Sequence, residues 1–320
     1  MTLIYPLLAL IVGVLILGYG ADVFVESSAG IARRFNISAV VIGLTLVAFG
    51  TSAPEMAVNV MAAAQGKSGL VYGNVVGSNI FNILIVLGLC AAVAPLAVKG
   101  QLIRIDIPFM AVISLLLWWQ SADGELSWNE SLLLLVLLVS YIVVQVRLSR
   151  TEAKAVAEEF EDVPGKRERS LLVQSLLIPV GLGMLVGGAR MFVYGASEIA
   201  VLWGVSEQVI GLTIVSAGTS LPELATSVAA TLKGEREIAV GNVVGSNIFN
   251  ILAVMGLSGI VTADPVIADE AMRGIDIPLM VLAAIALAPL ARFREKFERP
   301  VGVLFVLTYV VYVVHLIGRA

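Results

Sequence analysis

The feature that most constrains this chain is an internal repeat. Residues 73–84 (GNVVGSNIFNIL) return without a change as residues 241–252. In the same register, the motif GTSAPE at 50–55 returns as GTSLPE at 218–223. An internal repeat determines the architecture before any chemistry is considered, so we interpret the chain as two copies of one unit.

The composition places both copies in a membrane. Of the 320 residues, 59% are hydrophobic and 14% are charged, and the mean hydropathy is +0.98. Apolar runs such as 301–314 are nearly continuous rather than alternating, which favours helices over a barrel. We therefore predict an all-α membrane protein with ten transmembrane helices. The predicted spans are 3–26, 38–64, 70–97, 103–120, 129–147, 171–197, 206–231, 238–263, 275–291 and 301–317.

Each copy holds five predicted spans, and an odd number means that the second copy enters the membrane from the opposite side. The repeats are therefore predicted to be inverted, an arrangement typical of transporters whose site lies where the copies meet. The predicted division is 1–147 for the first five-helix repeat, 148–170 for a charged cytosolic linker and 171–320 for the second five-helix repeat.

The distribution of basic residues predicts the orientation. The loops on one side of the predicted spans carry sixteen of the 20 lysines and arginines, and the loops on the other side carry three. Cytoplasmic loops are the ones enriched in Lys and Arg. We expect a multi-pass protein of the cell membrane with both termini outside and the central linker in the cytoplasm.

Glu55 and Glu223 stand within apolar spans, where a carboxylate is costly and should face a partner or a watery cavity. Pro54 precedes Glu55 and cannot donate a backbone hydrogen bond, so it releases the carbonyl of Gly50 from the helix. Thr51 and Ser52 lie four and three residues before Glu55, on the same helix face. The second copy repeats this oxygen-only arrangement with Gly218, Thr219, Ser220, Pro222 and Glu223.

The repeated twelve-residue segment supplies further neutral oxygens. Ser78 and Asn82 lie one turn apart on one helix face, and Ser246 and Asn250 repeat them. We expect both helices to be loosened by small and polar residues, namely Gly73, Asn74, Gly77, Gly241, Asn242 and Gly245. The glycines equally fit a small-xxx-small packing pattern, so both roles stay open at this point.

The pooled ligand set indicates the kind of ion. Two carboxylates, many neutral oxygens and no sulfur or imidazole suit a hard cation such as calcium or sodium. Two carboxylates neutralise one divalent ion, and sodium ions that occupy the same oxygens would compete with it, which is antiport. Asp106 and Asp276 precede prolines at expected helix starts, and we predict N-capping rather than ion binding for them.

With these residues in hand, the chain resembles the cation/calcium exchanger superfamily, and within it the prokaryotic sodium/calcium antiporters with two alpha-repeats. The resemblance rests on GTSxPE followed by GNVVGSNIFN, present twice. It implies four central ion sites and electrogenic exchange. Asn250 stands where potassium-dependent relatives carry Asp, so we expect no potassium requirement.

The resemblance also implies the role of each site residue. Calcium would be held by Glu55 and Glu223 with backbone carbonyls near Thr51 and Thr219. The carbonyls of Ala48 and Ser216 would contribute to the outer sodium sites. The side chains implied for sodium are Thr51, Ser52, Ser78, Thr219, Ser220 and Ser246, assisted by the two glutamates.

Two alternatives compete with sodium/calcium exchange. A calcium/proton exchanger would use protonation of Glu55 or Glu223 in place of sodium, although the hydroxyl-rich surroundings favour sodium. An intramembrane hydrolase is disfavoured because the single histidine, His315, lies at the end of the last span and forms no Ser/His pair. We therefore predict no enzymatic activity, no cofactor other than the transported calcium and sodium, the lipid bilayer as surroundings, and neither a nucleic-acid nor a protein partner.

Overall fold

The computed structural model describes residues 3–98, 100–161, 170–205, 210, 214, 216–262 and 264–319. The helices in these ranges are α1 Ile4–Arg34, α2 Ala39–Thr51, α3 Ala53–Ala64, α4 Ser68–Val93, α5 Leu102–Gln120, α6 Trp128–Glu161, α7 Leu171–Leu202, α8 Ser216–Gly218, α9 Leu221–Leu232, α10 Arg236–Val261, α11 Met272–Arg294 and α12 Arg299–Arg319. The strands are β1 Leu96–Ala97, β2 Glu125–Leu126, β3 Val266–Ile267 and β4 Lys296–Phe297.

Eight helices of the described chain are long and apolar enough to cross a membrane, and the bent pair α2 and α3 makes a ninth span if it is counted as one. The prediction of an all-α membrane protein is confirmed. The predicted span 206–231 falls partly outside the described residues, and α8 and α9 belong to it. Within the predicted linker, α6 continues to Glu161, while residues 162–169 lie outside the described part.

The chain breaks its helical path just before each repeated glutamate. At Ser52 the backbone adopts φ −81° and ψ 0°, and α3 leaves the axis of α2 at 45°. Pro54 lies in the first turn of α3, where its missing N–H costs no hydrogen bond. Ser220 repeats the break with φ −92° and ψ 7°. A helix break thus precedes the proline in both copies, whereas the release of the Gly50 and Gly218 carbonyls stays a prediction.

The central helices α4 and α10 are regular across their glycines, which is not what we predicted. Both helices keep α-helical turns until Phe81 and Phe249, and only then continue in wider π-helical turns, Asn82–Leu87 and Asn250–Met255. The prediction that the glycines loosen the helix is wrong. In α10 they instead permit close packing, because a Cβ on Gly245 would lie 2.7 Å from a carbonyl oxygen of α2.

Asp106 and Asp276 do not cap helices, so that prediction is also wrong. Both have helical backbone angles, and neither side chain makes a capping hydrogen bond. The reason is that α5 and α11 begin earlier, at Leu102 and Met272, and pass through the aspartates in π-helical turns. Asp106 Oδ1 instead accepts hydrogen bonds from Tyr141 at 3.0 Å and Gln145 at 2.6 Å.

The equivalent helices α1 and α7 pack against each other in opposite directions. Gly13 of α1 lies against Gly188 of α7, and Gly20 lies against Gly181. A Cβ on Gly188 would come within 2.8 Å of a backbone nitrogen of α1. Glycines spaced seven residues apart thus let two backbones touch along an antiparallel seam.

Two short antiparallel sheets join loops of one copy to loops of the other. Strand β1 pairs with β4, and β2 pairs with β3. Strand β3 is the counterpart of β1, because β1 follows α4 in the first copy and β3 follows α10 in the second. Each sheet therefore pairs the strand after the third span of one copy with the strand before the last span of the other copy. The two sheets are equivalent under a two-fold relation between the copies.

Candidate ion-binding site

The two helix breaks bring the repeated glutamates and serines together across the copies. Ser52 Oγ donates to Glu223 Oε1 at 3.2 Å, and Ser220 Oγ donates to Glu55 Oε1 at 3.2 Å. Glu55 is 1% exposed and Glu223 is 0% exposed. Each carboxylate is therefore held by the copy to which it does not belong, and the two bonds are related by the repeat.

The repeated threonines face asparagines of the opposite copy. Thr51 Oγ1 donates to Asn242 Oδ1 at 3.2 Å, and Thr219 Oγ1 donates to Asn74 Oδ1 at 3.1 Å. Sequence reasoning treated Asn74 and Asn242 only as residues that loosen a helix. The sequence did contain a signal that could have identified them as site residues. Both asparagines follow a glycine in a segment that is identical in the two copies.

A third reciprocal contact joins asparagines. Asn82 Nδ2 donates to Asn247 Oδ1 at 3.3 Å, and Asn250 Nδ2 donates to Asn79 Oδ1 at 3.2 Å. Asn82 and Asn250 were predicted site residues, whereas Asn79 and Asn247 were missed. All four side chains are buried, so their amides join the two copies out of contact with solvent.

The remaining predicted residues are Ser78, Ser246, Ala48 and Ser216. Ser78 is buried and donates to Asn74 at the long distance of 3.5 Å, and Ser246 is buried. The carbonyl of Ala48 accepts from Thr51 Oγ1 at 3.4 Å and from the Ser52 backbone at 3.0 Å. Ser216 begins α8, but its side chain lies outside the described part of the chain.

Several buried oxygens of this site have no hydrogen-bond partner among the described residues, namely Glu55 Oε2, Glu223 Oε2, Asn82 Oδ1, Asn250 Oδ1 and Ser246 Oγ. An unpaired buried oxygen costs about 1–3 kcal/mol, and more when it is charged. Oxygens with free lone pairs are what a calcium or sodium ion takes as ligands. In the described ranges no three His, Cys, Asp or Glu side chains gather to hold a metal ion, so a cation here must use the neutral oxygens as well.

A cavity of about 350 Å³ borders the site. Its wall includes Asn74 and Thr219, and also Asp269 of the segment between α10 and α11. Gly73 lines it as well, and a Cβ on that glycine would meet no described residue within 4 Å. The equivalent Gly241 is closed in, since a Cβ there would lie 2.9 Å from a carbonyl oxygen of α2.

An all-α membrane protein with acidic and neutral oxygens from two copies buried at its centre belongs to the class of polytopic ion transporters. Within that class, the chain belongs to the family described as sodium/calcium exchanger protein, whose profile matches residues 5–147 and 174–318. The resemblance inferred from the repeated motifs is thereby confirmed. The family consists of exchangers, so its membership indicates transport rather than catalysis.

Relatives and solved structures agree over nearly the whole chain. The inner membrane protein YrbG of Escherichia coli (strain K12) is 37% identical over 309 residues, covering 95% of this chain and 94% of that protein. The sodium/calcium exchanger MaX1 of Methanosarcina acetivorans is 32% identical over 357 residues, covering 96% and 97%. A structure of the sodium-calcium exchanger NCX_Mj matches with a TM-score of 0.84 and 32% identity, covering 98% of this chain and 100% of that chain.

Proposed function

We propose that this protein exchanges sodium for calcium by alternating access to one site shared by its two copies. The observation that carries the proposal is the reciprocal pair of bonds from Ser52 to Glu223 and from Ser220 to Glu55. These bonds gather two carboxylates, which together neutralise one divalent ion, at a place that belongs to both copies. An ion bound there contacts residues of both copies, so it is affected when one copy rocks against the other.

The same oxygens serve both ions. Calcium accepts 6–8 oxygen ligands in flexible geometry, so it can use both glutamates together with backbone carbonyls. Sodium carries half the charge and relies more on neutral oxygens. The residues that we assign to this site are Glu55, Glu223, Thr51, Thr219, Ser52, Ser220, Ser78, Ser246, Asn82, Asn250, Ala48 and Ser216. More sodium charge than calcium charge crosses per cycle, so exchange is electrogenic.

We further propose ten spans in two inverted repeats, 1–147 and 171–320, joined by a cytoplasmic linker at 148–170. The antiparallel packing of α1 on α7 supports inversion, because these helices occupy equivalent positions in the two copies. The ion pair between Arg33 and Glu235 at 3.4 Å supports placing the loops after α1 and after α9 on the same side. Because the loops of that side are rich in Lys and Arg, we assign it to the cytoplasm and both termini to the outside.

The difference between the two glycine faces supports alternating access. The face of α4 with Gly73 lines the cavity, while the equivalent face of α10 with Gly241 packs against α2. If the copies exchange these two arrangements, the cavity closes on one side and opens on the other. Asp269 lines the cavity and lies between α10 and α11, in a loop that we assign to the outside, which supports an outward-open arrangement.

Sodium and proton coupling are separated by flux. Purified protein is reconstituted into liposomes, and uptake of radioactive calcium is measured with an outward sodium gradient or with an imposed pH gradient. We expect the sodium gradient to drive uptake and the pH gradient to leave it unchanged. Uptake driven by the pH gradient alone would favour the calcium/proton exchanger and contradict the proposal.

A further inference from the structure

Two buried methionines lie next to the asparagine pairs of the site, each with its sulfur facing an asparagine side-chain NH₂ group. Asn247 Nδ2 lies 3.6 Å from Met110 Sδ, and Asn79 Nδ2 lies 3.5 Å from Met280 Sδ. Each methionine is at most 1% exposed. Met110 ends the sequence IDIPFM and Met280 ends the matching sequence IDIPLM, so the two contacts are related by the repeat like the rest of the site.

On the basis of the proposed function, we propose that Met110 and Met280 are positioning residues that, through Asn247 and Asn79, turn the amide oxygens of the site toward the ion. Each relay consists of three side chains. One runs from Met110 to Asn247 and Asn82, and the other from Met280 to Asn79 and Asn250. Both relays alternate between the copies at every step.

The chemistry of the thioether determines the direction of each relay. A methionine sulfur has lone pairs and no proton, so the amide group that faces it must be the NH₂. Asn247 therefore turns its NH₂ to Met110 and its oxygen to Asn82. The facing group of Asn82 is then its NH₂, with Nδ2 at 3.3 Å from that oxygen. What remains for the ion is Asn82 Oδ1.

The outcome agrees with the unpaired atoms at the site. Asn82 Oδ1 and Asn250 Oδ1 are buried and lack a hydrogen-bond partner among the described residues, whereas their NH₂ groups are engaged. An amide turned the other way would present two N–H donors to a cation and repel it. The relay thus selects the one orientation that makes each asparagine a cation ligand.

The relay explains features that burial alone does not require. A leucine would fill the methionine's volume at small cost, but it would give the neighbouring amide no acceptor. In that case Asn247 gains nothing from facing its NH₂ toward residue 110, and the orientation of Asn82 is no longer enforced. Methionine is consequently needed here for its sulfur as well as for its size.

The test is a double-mutant cycle on calcium binding by the purified full-length protein in sodium-free buffer. Met110→Leu should weaken calcium binding about threefold to tenfold, which is the range contributed by one hydrogen bond. In an Asn82→Asp background the same change should not weaken binding, because a carboxylate has an oxygen on either side and needs no orientation. Non-additivity of this kind reports a direct coupling.

Met255→Leu is the matched control, because Met255 is a fully buried methionine of the hydrophobic core in α10. It should leave calcium binding unchanged. Equal weakening by Met110→Leu in both backgrounds, or equal weakening by Met255→Leu, would indicate packing and overturn the inference. Unchanged binding in Met110→Leu would overturn it as well. Wild-type protein that binds no calcium would contradict the proposed function itself.

Discussion

A carboxylate at membrane depth persists only when its charge is compensated. Glu55 and Glu223 each accept a hydrogen bond from a serine of the other copy, and each retains a second oxygen without a partner among the described residues. A hydrogen bond of this kind does not offset the desolvation of a charge, which amounts to several kcal/mol for an ion in a protein interior. The residual cost makes this place favourable for a cation, which stabilises both carboxylates at once.

The hydroxyls that reach across the copies should matter more for sodium than for calcium. Ser52→Ala and Ser220→Ala each remove a bond to a charged group, worth about 1.5–3 kcal/mol. We expect the sodium concentration for half-maximal exchange to rise about tenfold or more, at 1.4 kcal/mol per factor of ten, with a smaller change for calcium. Ser140→Ala is the control, because Ser140 is exposed and its hydroxyl donates to a carbonyl of its own helix. Equal effects on both ions would contradict the division of ligands.

Asn250 determines the expected response to potassium. With an amide at this position in both copies, the site has two carboxylates and no third one among the described residues. Calcium uptake into proteoliposomes should therefore be the same when potassium is replaced by choline on both sides. Uptake that depends on co-transported potassium would be the opposite result.

At the residue scale, the motifs predicted the acidic and hydroxyl members of the site but only half of the amides in its asparagine contacts. A repeated glutamate inside an apolar span is conspicuous because it is costly. Asn79 and Asn247 were missed because their partners lie in the other copy, and spacing along one helix says nothing about which side chain faces it across an interface.

At the scale of elements, proline was a better guide than glycine. Pro54 and Pro222 each lie in the first turn of a new helix after a break, where their missing N–H costs no hydrogen bond. The glycines of α4 and α10 do not unwind their helices, because tertiary packing overrides the weak helix propensity of glycine. The π-helical turns that begin at Asn82 and Asn250 carry no residue signature comparable to proline, so the motifs did not predict them.

The antiparallel seam between α1 and α7 should depend on individual glycines. In Gly188→Ala the new Cβ would lie 2.8 Å from a backbone nitrogen of α1, so whole helices must shift. Overpacking of this kind costs about 1–3 kcal/mol. We expect a lower melting temperature in detergent.

The neighbouring Gly187 provides the control for that measurement, since a Cβ there meets no atom of the described chain within 4 Å. Gly187→Ala should melt like the wild type. A Gly188→Ala protein with unchanged stability would show that the two helices are not held in backbone contact.

At the scale of the whole molecule, the two copies are similar in their contacts and different in their exposure. The reciprocal hydrogen bonds at the centre obey the two-fold relation, whereas the cavity beside α4 has a closed counterpart beside α10. A transporter built from two copies needs this difference, because two open or two closed faces would give a leak or a sealed protein.

The open glycine face of α4 offers a way to separate binding from transport. In Gly73→Val the added Cβ meets no described residue within 4 Å in this arrangement, so folding and calcium binding should be retained. If the cavity closes by packing α4 as α10 packs now, a backbone oxygen would lie about 2.9 Å from the valine Cβ, as it does for a Cβ on Gly241. We expect calcium binding near the wild-type level and strongly reduced flux. Full flux in this variant would contradict closure along that face.

The architecture followed from the sequence in outline. Apolar runs predicted an all-α membrane protein, and the fold confirms it, while the reciprocal contacts support the proposed division into two copies. The strand pairs β1 with β4 and β2 with β3 were not expected, because two residues of strand lie below what periodicity can detect. The bent pair α2 and α3 can be counted as one span or as none, so the number of spans is harder to predict than their helical type.

The central claim is that one pocket, shared by both copies, holds either calcium or sodium. It is tested by equilibrium binding of radioactive calcium to the purified protein, to Glu55→Gln and to Glu223→Gln, with sodium as competitor and the exposed Glu125→Gln as control. We predict one competitive calcium site that is lost in both single variants and kept in the control. Calcium binding that survives in either variant, or that is indifferent to sodium, would contradict the account.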